Sequence, residues 1–386
     1  MEISPRTVRR WVRLMTGASF IISGIISASW SSRIPEIQAS YTFTDAEWGT
    51  VLFSLYAGLI CGLPISSWLI AKYGSSKITF ISSIIFALML SALPLAPNAL
   101  VLIIFLFFFG MARNLMNLSI NTNSIEIQRL FTKSIVSSFH GIWSLSCLLA
   151  AGLGTVMITQ KISPNTHFSI IALIAIIVMC IFRSKHTKKR RAFSTKPLFT
   201  KPDRYLLLLG SLSFCAMVCE GAIYDWGVNY FSKSVNGGDR LVTAGYIGYL
   251  LSMTSGRLAG DYLIAVIGRQ RLLVASGILM TTGFGIAAFF PLFLPAILAF
   301  ILIGFGNSVM MPIIFFLAGK STRVSTASAI ATVTLIGYCG LLIQPIMIGF
   351  ITQSFSLQTA FGLLALLGIV IIAAAFYFRR KEVSFE

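Results

Sequence analysis

Apolar stretches of about 18 to 25 residues recur along the whole chain, each long enough to cross a hydrocarbon core of about 30 Å as an α-helix. The pattern predicts spans near 13–30, 47–70, 78–95, 99–122, 135–158, 168–183, 205–231, 242–265, 271–290, 295–318, 327–350 and 359–378. Alternating strand patterns of the kind that build a membrane barrel are absent, so the expected bundle is helical. Pro94 and Pro97 mark one very short turn, and Pro291 and Pro295 mark another at the equivalent place in the second half. The fold class that follows is an all-α membrane protein. Its twelve transmembrane helices form two six-helix domains, 1–183 and 205–386, joined by a linker at 184–204.

The two halves repeat one unit in the same order. An offset of 194 residues carries Gly62 onto Gly256 and Gly74 onto Gly268, and Leu69-Ile70-Ala71 onto Leu263-Ile264-Ala265. It also places Gly110 on Gly304, Met116 on Met310 and Lys77 on Arg271. Parallel repeats of this kind are common in transporters, where the solute site is expected between the halves.

Composition agrees with lipid as the solvent. The 386 residues are 56% hydrophobic and 11% charged, against about 25% charged in a soluble domain. The formal net charge is +18, which in a soluble chain would suggest nucleic acid as partner. Here the 30 Lys and Arg concentrate in alternate loops, the largest block running from Arg183 to Arg204 with Lys188-Lys-Arg-Arg191 inside it. That asymmetry places both termini in the cytoplasm. It makes the basic linker a contact for anionic lipid headgroups and excludes a nucleic-acid role. No cleavable signal peptide is expected, because the apolar run after Arg13 is too long. The six cysteines all fall in predicted spans without metal spacing, and with only three histidines no metal site is expected. No nucleotide, flavin or haem motif occurs, so no cofactor is expected, and the driving force must be an ion or solute gradient. No nucleophile–base constellation supports an enzyme.

Ionisable residues inside the spans carry the functional signal, since a charge at mid-membrane costs at least about 2.5–3.5 kcal/mol. Span 7 holds Glu220, Tyr224 and Asp225. Burial favours the neutral form of a carboxylate, which suits such a group to take up and release a proton. Glu220 is therefore the candidate proton-coupling or solute-binding acid. Asp225, nearer the external edge, is a second candidate, with an interfacial role as the alternative. Span 4 carries Arg113, Asn117 and Asn121 at four-residue spacing, one polar stripe able to bind a carboxylate, a phosphate or sugar hydroxyls. The alternative is helix-to-helix bonding. Arg113 lies roughly 9 Å and Glu220 about 22 Å from the cytoplasmic edge, so the two are not expected to pair directly in every state. His140, at the start of span 5, is a candidate proton relay or a structural residue. Asn307, the repeat partner of Arg113, either faces the path or packs. Arg33 sits at the outer mouth as a candidate gate residue, pairing with Asp225 or locally with Glu36.

At these residues the chain resembles the major facilitator superfamily, and within it the fucose-permease-like group of bacterial inner-membrane transporters. The motifs that carry the likeness are Trp30…Arg33-Ile-Pro35-Glu-Ile37, Phe139-His-Gly-Ile-Trp-Ser144, Glu220-Gly-Ala-Ile-Tyr-Asp-Trp226 and Gly256-Arg-Leu-Ala-Gly-Asp261. The resemblance implies a monomeric transporter working by alternating access. In it the first and fourth helices of each half line the path, and loop charges lock the cytoplasmic gate. That gate role falls here on Asp261 and Arg257, and more weakly on Lys72. One departure stands out: the cores of spans 1 and 4 lack the carboxylates expected of fucose-type proton symporters, which shifts coupling to Glu220. The reading is proton-coupled transport of a small polar solute, sugar-like or an organic anion. Proton-driven efflux of drugs or metabolites is the alternative, and a non-transporting receptor on the same fold is a third.

Overall fold

The structure, a computed structural model, describes residues 5–128, 130–131, 135–182, 202–235, 238–321, 323–324 and 326–380. Of the expected linker 184–204, residues 184–201 lie outside the described set. Twelve long helices follow one another. They are α1 (Pro5–Ser40), α2 (Asp45–Tyr73), α3 (Ser75–Ala92), α4 (Ala99–Gln128), α5 (Val136–Thr159) and α6 (Pro164–Ile181). The second six are α7 (Arg204–Lys233), α8 (Ala244–Ile267), α9 (Arg269–Phe289), α10 (Phe293–Ser308 and Met310–Gly319), α11 (Thr326–Ser354) and α12 (Leu357–Arg380). All but α8 contain a span that meets length and hydropathy criteria for crossing a membrane. With no water in the bilayer core, the helix is the form that satisfies every backbone group within one segment.

Polar residues set the helix starts. Thr44 and Glu47 form a capping box at α2: the Thr44 amide donates to Glu47 Oε2 (2.9 Å) and the Glu47 amide to Thr44 Oγ1 (3.3 Å). Ser163 accepts from the Thr166 amide (3.2 Å) at α6, with Pro164 at its first position, and Asp203 accepts from the Leu206 amide (2.8 Å) at α7. The expected short turns are present, as a 3₁₀ turn at Leu93–Leu95 and as residues 290–292. Span 10 is not continuous as expected. It breaks at Val309 because Pro312 has no amide proton to return to Ser308.

The chain forms two compact units. The first comprises Met1–Tyr41 and Ser54–Ser194, the second Thr42–Phe53 and Thr195–Glu386, so the opening turns of α2 group with the second unit. In the first unit α1 packs on α5, and α3 on both α4 and α6. In the second unit α7 packs on α11, and α9 on both α10 and α12. These pairings are the same under a shift of six helices, as parallel repeats require. The first core centres on Trp30, Phe86 and Phe109, with Phe109 centroid distances of 5.8 and 4.8 Å to the other two rings. The second centres on Tyr230, Phe300 and Phe361, with Tyr230 Oη donating to the Ala287 carbonyl (2.7 Å).

Backbone geometry repeats with the sequence. Gly74 has φ 87° and ψ 149°, and Gly268 has φ 86° and ψ 149°. This region is essentially confined to glycine. Nothing lies within 4 Å of a Cβ built at either position, so an alanine there is penalised by the backbone alone. Gly74→Ala and Gly268→Ala are each expected to cost about 1–3 kcal/mol, read as a comparable fall in apparent melting temperature of the purified protein in detergent.

Candidate functional site

In the second unit, α7 and α8 bring an acid and a base together inside the bundle. Arg257 Nη2 lies 3.5 Å from Glu220 Oε1, and both side chains are partly buried. About two turns nearer the start of α8, Tyr249 is fully buried and accepts a hydrogen bond at Oη from Asn307 Nδ2 (3.3 Å). Tyr224, one turn beyond Glu220 on α7, meets Tyr249 and Tyr246 edge-on, at centroid distances of 6.0 and 5.7 Å. Glu220, Arg257, Tyr249, Asn307 and Tyr224 thus form one polar group drawn from α7, α8 and α10. Asp225 is buried and accepts from Gln344 Nε2 of α11 at 2.5 Å. Its side chain is enclosed by packing, at 3% exposure.

In the first unit the α4 stripe is only half-buried. Arg113, Asn117 and Asn121 all keep some exposure, and Asn121 Nδ2 donates back to the Asn117 carbonyl (2.9 Å). His140 is exposed on α5 and meets the Phe20 ring edge-on at 5.4 Å. Glu126, the acid near the end of α4, accepts from Ser75 Oγ (2.6 Å) at the start of α3. Lys72 is exposed and stands over the Trp68 ring at 4.7 Å. Asp261 is exposed on the last turns of α8.

Arg33 is fully buried. Its Nη1 reaches both carboxylate oxygens of Glu36 (2.7 and 2.6 Å), its Nη2 the Ile162 carbonyl (2.8 Å), and its Nε donates to His167 Nδ1 (3.2 Å). This bonding ties α1 to the α5–α6 turn and to the first turn of α6. Truncating a buried guanidinium with four hydrogen bonds strands its partners, so Arg33→Met is expected to cost about 2–4 kcal/mol. Lys72→Met, on an exposed side chain, should leave the apparent melting temperature within error in the same assay.

Sequence reasoning missed three members of these groups. Gln344 carried a signal, a lone amide beside Pro345 in an apolar span. Tyr249 and His167 carried little, because tyrosine and histidine in spans are common packing residues and their partners come from helices distant in sequence.

Twelve long helices in two parallel repeats, eleven of them with a span long and apolar enough to cross a membrane among the described residues, define a multi-pass membrane protein of the transporter class. A sequence model of the Major Facilitator Superfamily matches residues 14–324, and the chain belongs to that superfamily. It is 28% identical over 363 residues to an uncharacterised MFS-type transporter of Yersinia pestis, covering 94% of each chain. It is also 28% identical over 368 residues to the membrane protein MosC of Rhizobium meliloti, covering 94% of this chain and 89% of that one. Among solved structures, the nucleoside transporter NupG superposes with a TM-score of 0.77 at 14% identity, covering 96% of this chain and 100% of that one. The fucose:proton symporter FucP of E. coli superposes with a TM-score of 0.65 at 17% identity, covering 95% and 98%. The fold is thus shared with transporters across nearly its full length, including the fucose-permease-like group.

Proposed function

We propose that this protein is a proton-coupled secondary transporter of a small, hydroxyl-rich or anionic solute. It works by alternating access as a monomer in a bacterial inner membrane, with both termini in the cytoplasm. The observation that carries the reading is the Glu220–Arg257 pair, 3.5 Å apart among buried aromatic side chains. Arg257 stays charged at any working pH. While Glu220 is ionised, each group offsets the desolvation of the other. A solute carboxylate or hydroxyl that competes for the guanidinium leaves Glu220 ionised without its counter-charge. A proton taken up there would restore the charge balance. Solute binding and proton binding are then linked through one arginine, and the direction of the linkage is symport. Tyr249 and Asn307 supply further hydroxyl and amide groups beside the pair. On the other repeat, Arg113, Asn117 and Asn121 form a second set of donors suited to the same chemistry.

NupG is a nucleoside transporter and FucP a fucose:proton symporter, and both solutes present several hydroxyl groups. The proposal is tested by a thermal-shift screen of sugars, nucleosides and organic acids on purified protein, followed by uptake into proteoliposomes with an imposed pH gradient. For the hit that emerges, Arg113→Ala is expected to weaken binding at least tenfold, about 1.4 kcal/mol or more, on losing charge-assisted hydrogen bonds. Uptake that ignores both the gradient and the variant would overturn the reading.

A further inference from the structure

The turn that joins α8 to α9 is far more basic than a plain helix connection needs to be, and a cavity opens beside it. This cavity, of about 720 Å³, is lined by Asp261 and the end of α8, by Arg269, Gln270 and Arg271 of α9, and by Pro312 and Phe316 of α10. A second cavity of about 290 Å³ shares Gln270 and Arg271 with the first and is walled by Val274 and by Phe376 of α12. The two share the side chains of Gln270 and Arg271. The first is a polar, basic head, and the second, the tail, is flanked by the apolar Val274 of α9 and Phe376 of α12.

The chemistry at the head selects an anion. Two guanidinium groups against one carboxylate leave one net positive charge. The Arg269 guanidinium lies 3.7 Å from the centroid of the Phe316 ring, which fixes its plane. Gly268 caps α9 without a side-chain hydrogen bond, so the first-turn amides add partial positive charge on the same side. The tail selects a chain. Phe376 and Tyr377 are about half exposed, and on α8 Leu258, Tyr262 and Val266 are more than 60% exposed. Exposed apolar side chains of this kind suit contact with acyl chains. A freely soluble anion would use the head alone, whereas a phospholipid uses both.

We propose that the α8–α9 turn is a binding site for a singly anionic phospholipid, in the leaflet nearest the C-terminal end of α12. The phosphodiester sits between Arg269 and Arg271. A headgroup hydroxyl is within the chemistry of Asp261 and Gln270, and one acyl chain follows Val274 and Phe376. The site is independent of the solute reading above and stands or falls without it.

The test uses full-length protein, delipidated in detergent and titrated with phosphatidylglycerol. Retention is read by native mass spectrometry and stability by thermal shift. One tightly retained phosphatidylglycerol is expected, with phosphatidylcholine binding at least tenfold more weakly. Arg269→Gln/Arg271→Gln should weaken phosphatidylglycerol retention at least tenfold, and Phe376→Ser severalfold. If the double variant does not yield folded protein, Arg271→Gln alone, on an exposed side chain, is expected to show a smaller loss in the same direction. Inorganic phosphate or glycerophosphoglycerol stabilising the protein as well as phosphatidylglycerol would overturn the lipid assignment in favour of a free anion site. Unchanged retention in Arg271→Gln would overturn the site itself.

Discussion

Glu220→Gln is expected to abolish accumulation of solute driven by a pH gradient while leaving solute exchange across the membrane intact. Glutamine keeps the size and polarity of the glutamate but can neither ionise nor take up a proton. In the wild-type protein one proton is expected to bind with each solute. Over the pH range in which that proton must be taken up, solute affinity should then fall up to about tenfold per unit rise in pH. In Glu220→Gln this slope should vanish, because Arg257 no longer has a carboxylate to release. The variant should also bind solute at high pH better than the wild type does, since nothing charged competes for the guanidinium. A mere packing role for Glu220 predicts a different pattern: affinity and rate would fall together while the pH slope survived. Gradient-driven accumulation in the variant at the wild-type level would remove Glu220 from the coupling step. The readouts are counterflow, gradient-driven uptake and binding at several pH values in the same proteoliposome preparation.

The architecture was legible from the sequence because its signals are long and redundant. A span of about 20 apolar residues and a 194-residue repeat each survive many substitutions, and the Gly74 and Gly268 backbones show the repeat in φ and ψ. Only local details differed, such as the break at Val309. The site was legible in part. Glu220 and Arg257 stand out as charges in apolar helices, but the spacing that put them in different roles, acid and gate, could not show that they face each other. That contact depends on how α7 packs against α8, and helix rotation is weakly encoded where almost every position is apolar. For the same reason the partner of Asp225 was not foreseen. A buried Gln344 amide is a short-range solution to a desolvated carboxylate, and many polar residues on neighbouring helices could have provided it.

The repeat makes its largest stability prediction at two glycines that allow helices to touch. A Cβ at Gly110 would collide with the Leu55 carbonyl oxygen and come within 3.0 Å of the Leu59 amide nitrogen. A Cβ at Gly304 would lie 2.5 Å from the Tyr249 carbonyl oxygen and collide with Ser252 Oγ. Leu55 and Tyr249 are themselves repeat partners, as are Gly110 and Gly304, so the same close crossing is built twice. The obstacle in each case is backbone, which cannot rotate aside, so an added methyl group must push two helices apart along their length. Gly110→Ala and Gly304→Ala are each expected to cost about 3 kcal/mol or more, at the upper end for overpacked sites. Yield of monodisperse protein should fall sharply, with the apparent melting temperature of what remains. Gly285→Ala, where nothing lies within 4 Å, should instead be neutral or gain about 0.5–1 kcal/mol from helix propensity. Each tight glycine stands one turn before a diverged polar residue, Gly110 before Arg113 and Gly304 before Asn307. The crossing therefore fixes the height and rotation at which those side chains are presented. Ser252→Gly, which recreates the Gly58 of the first repeat, removes the hydroxyl obstacle but not the Tyr249 carbonyl. It should recover only part of the loss in Gly304→Ala, and full recovery would show that the hydroxyl, not the backbone crossing, sets the separation of α8 and α10.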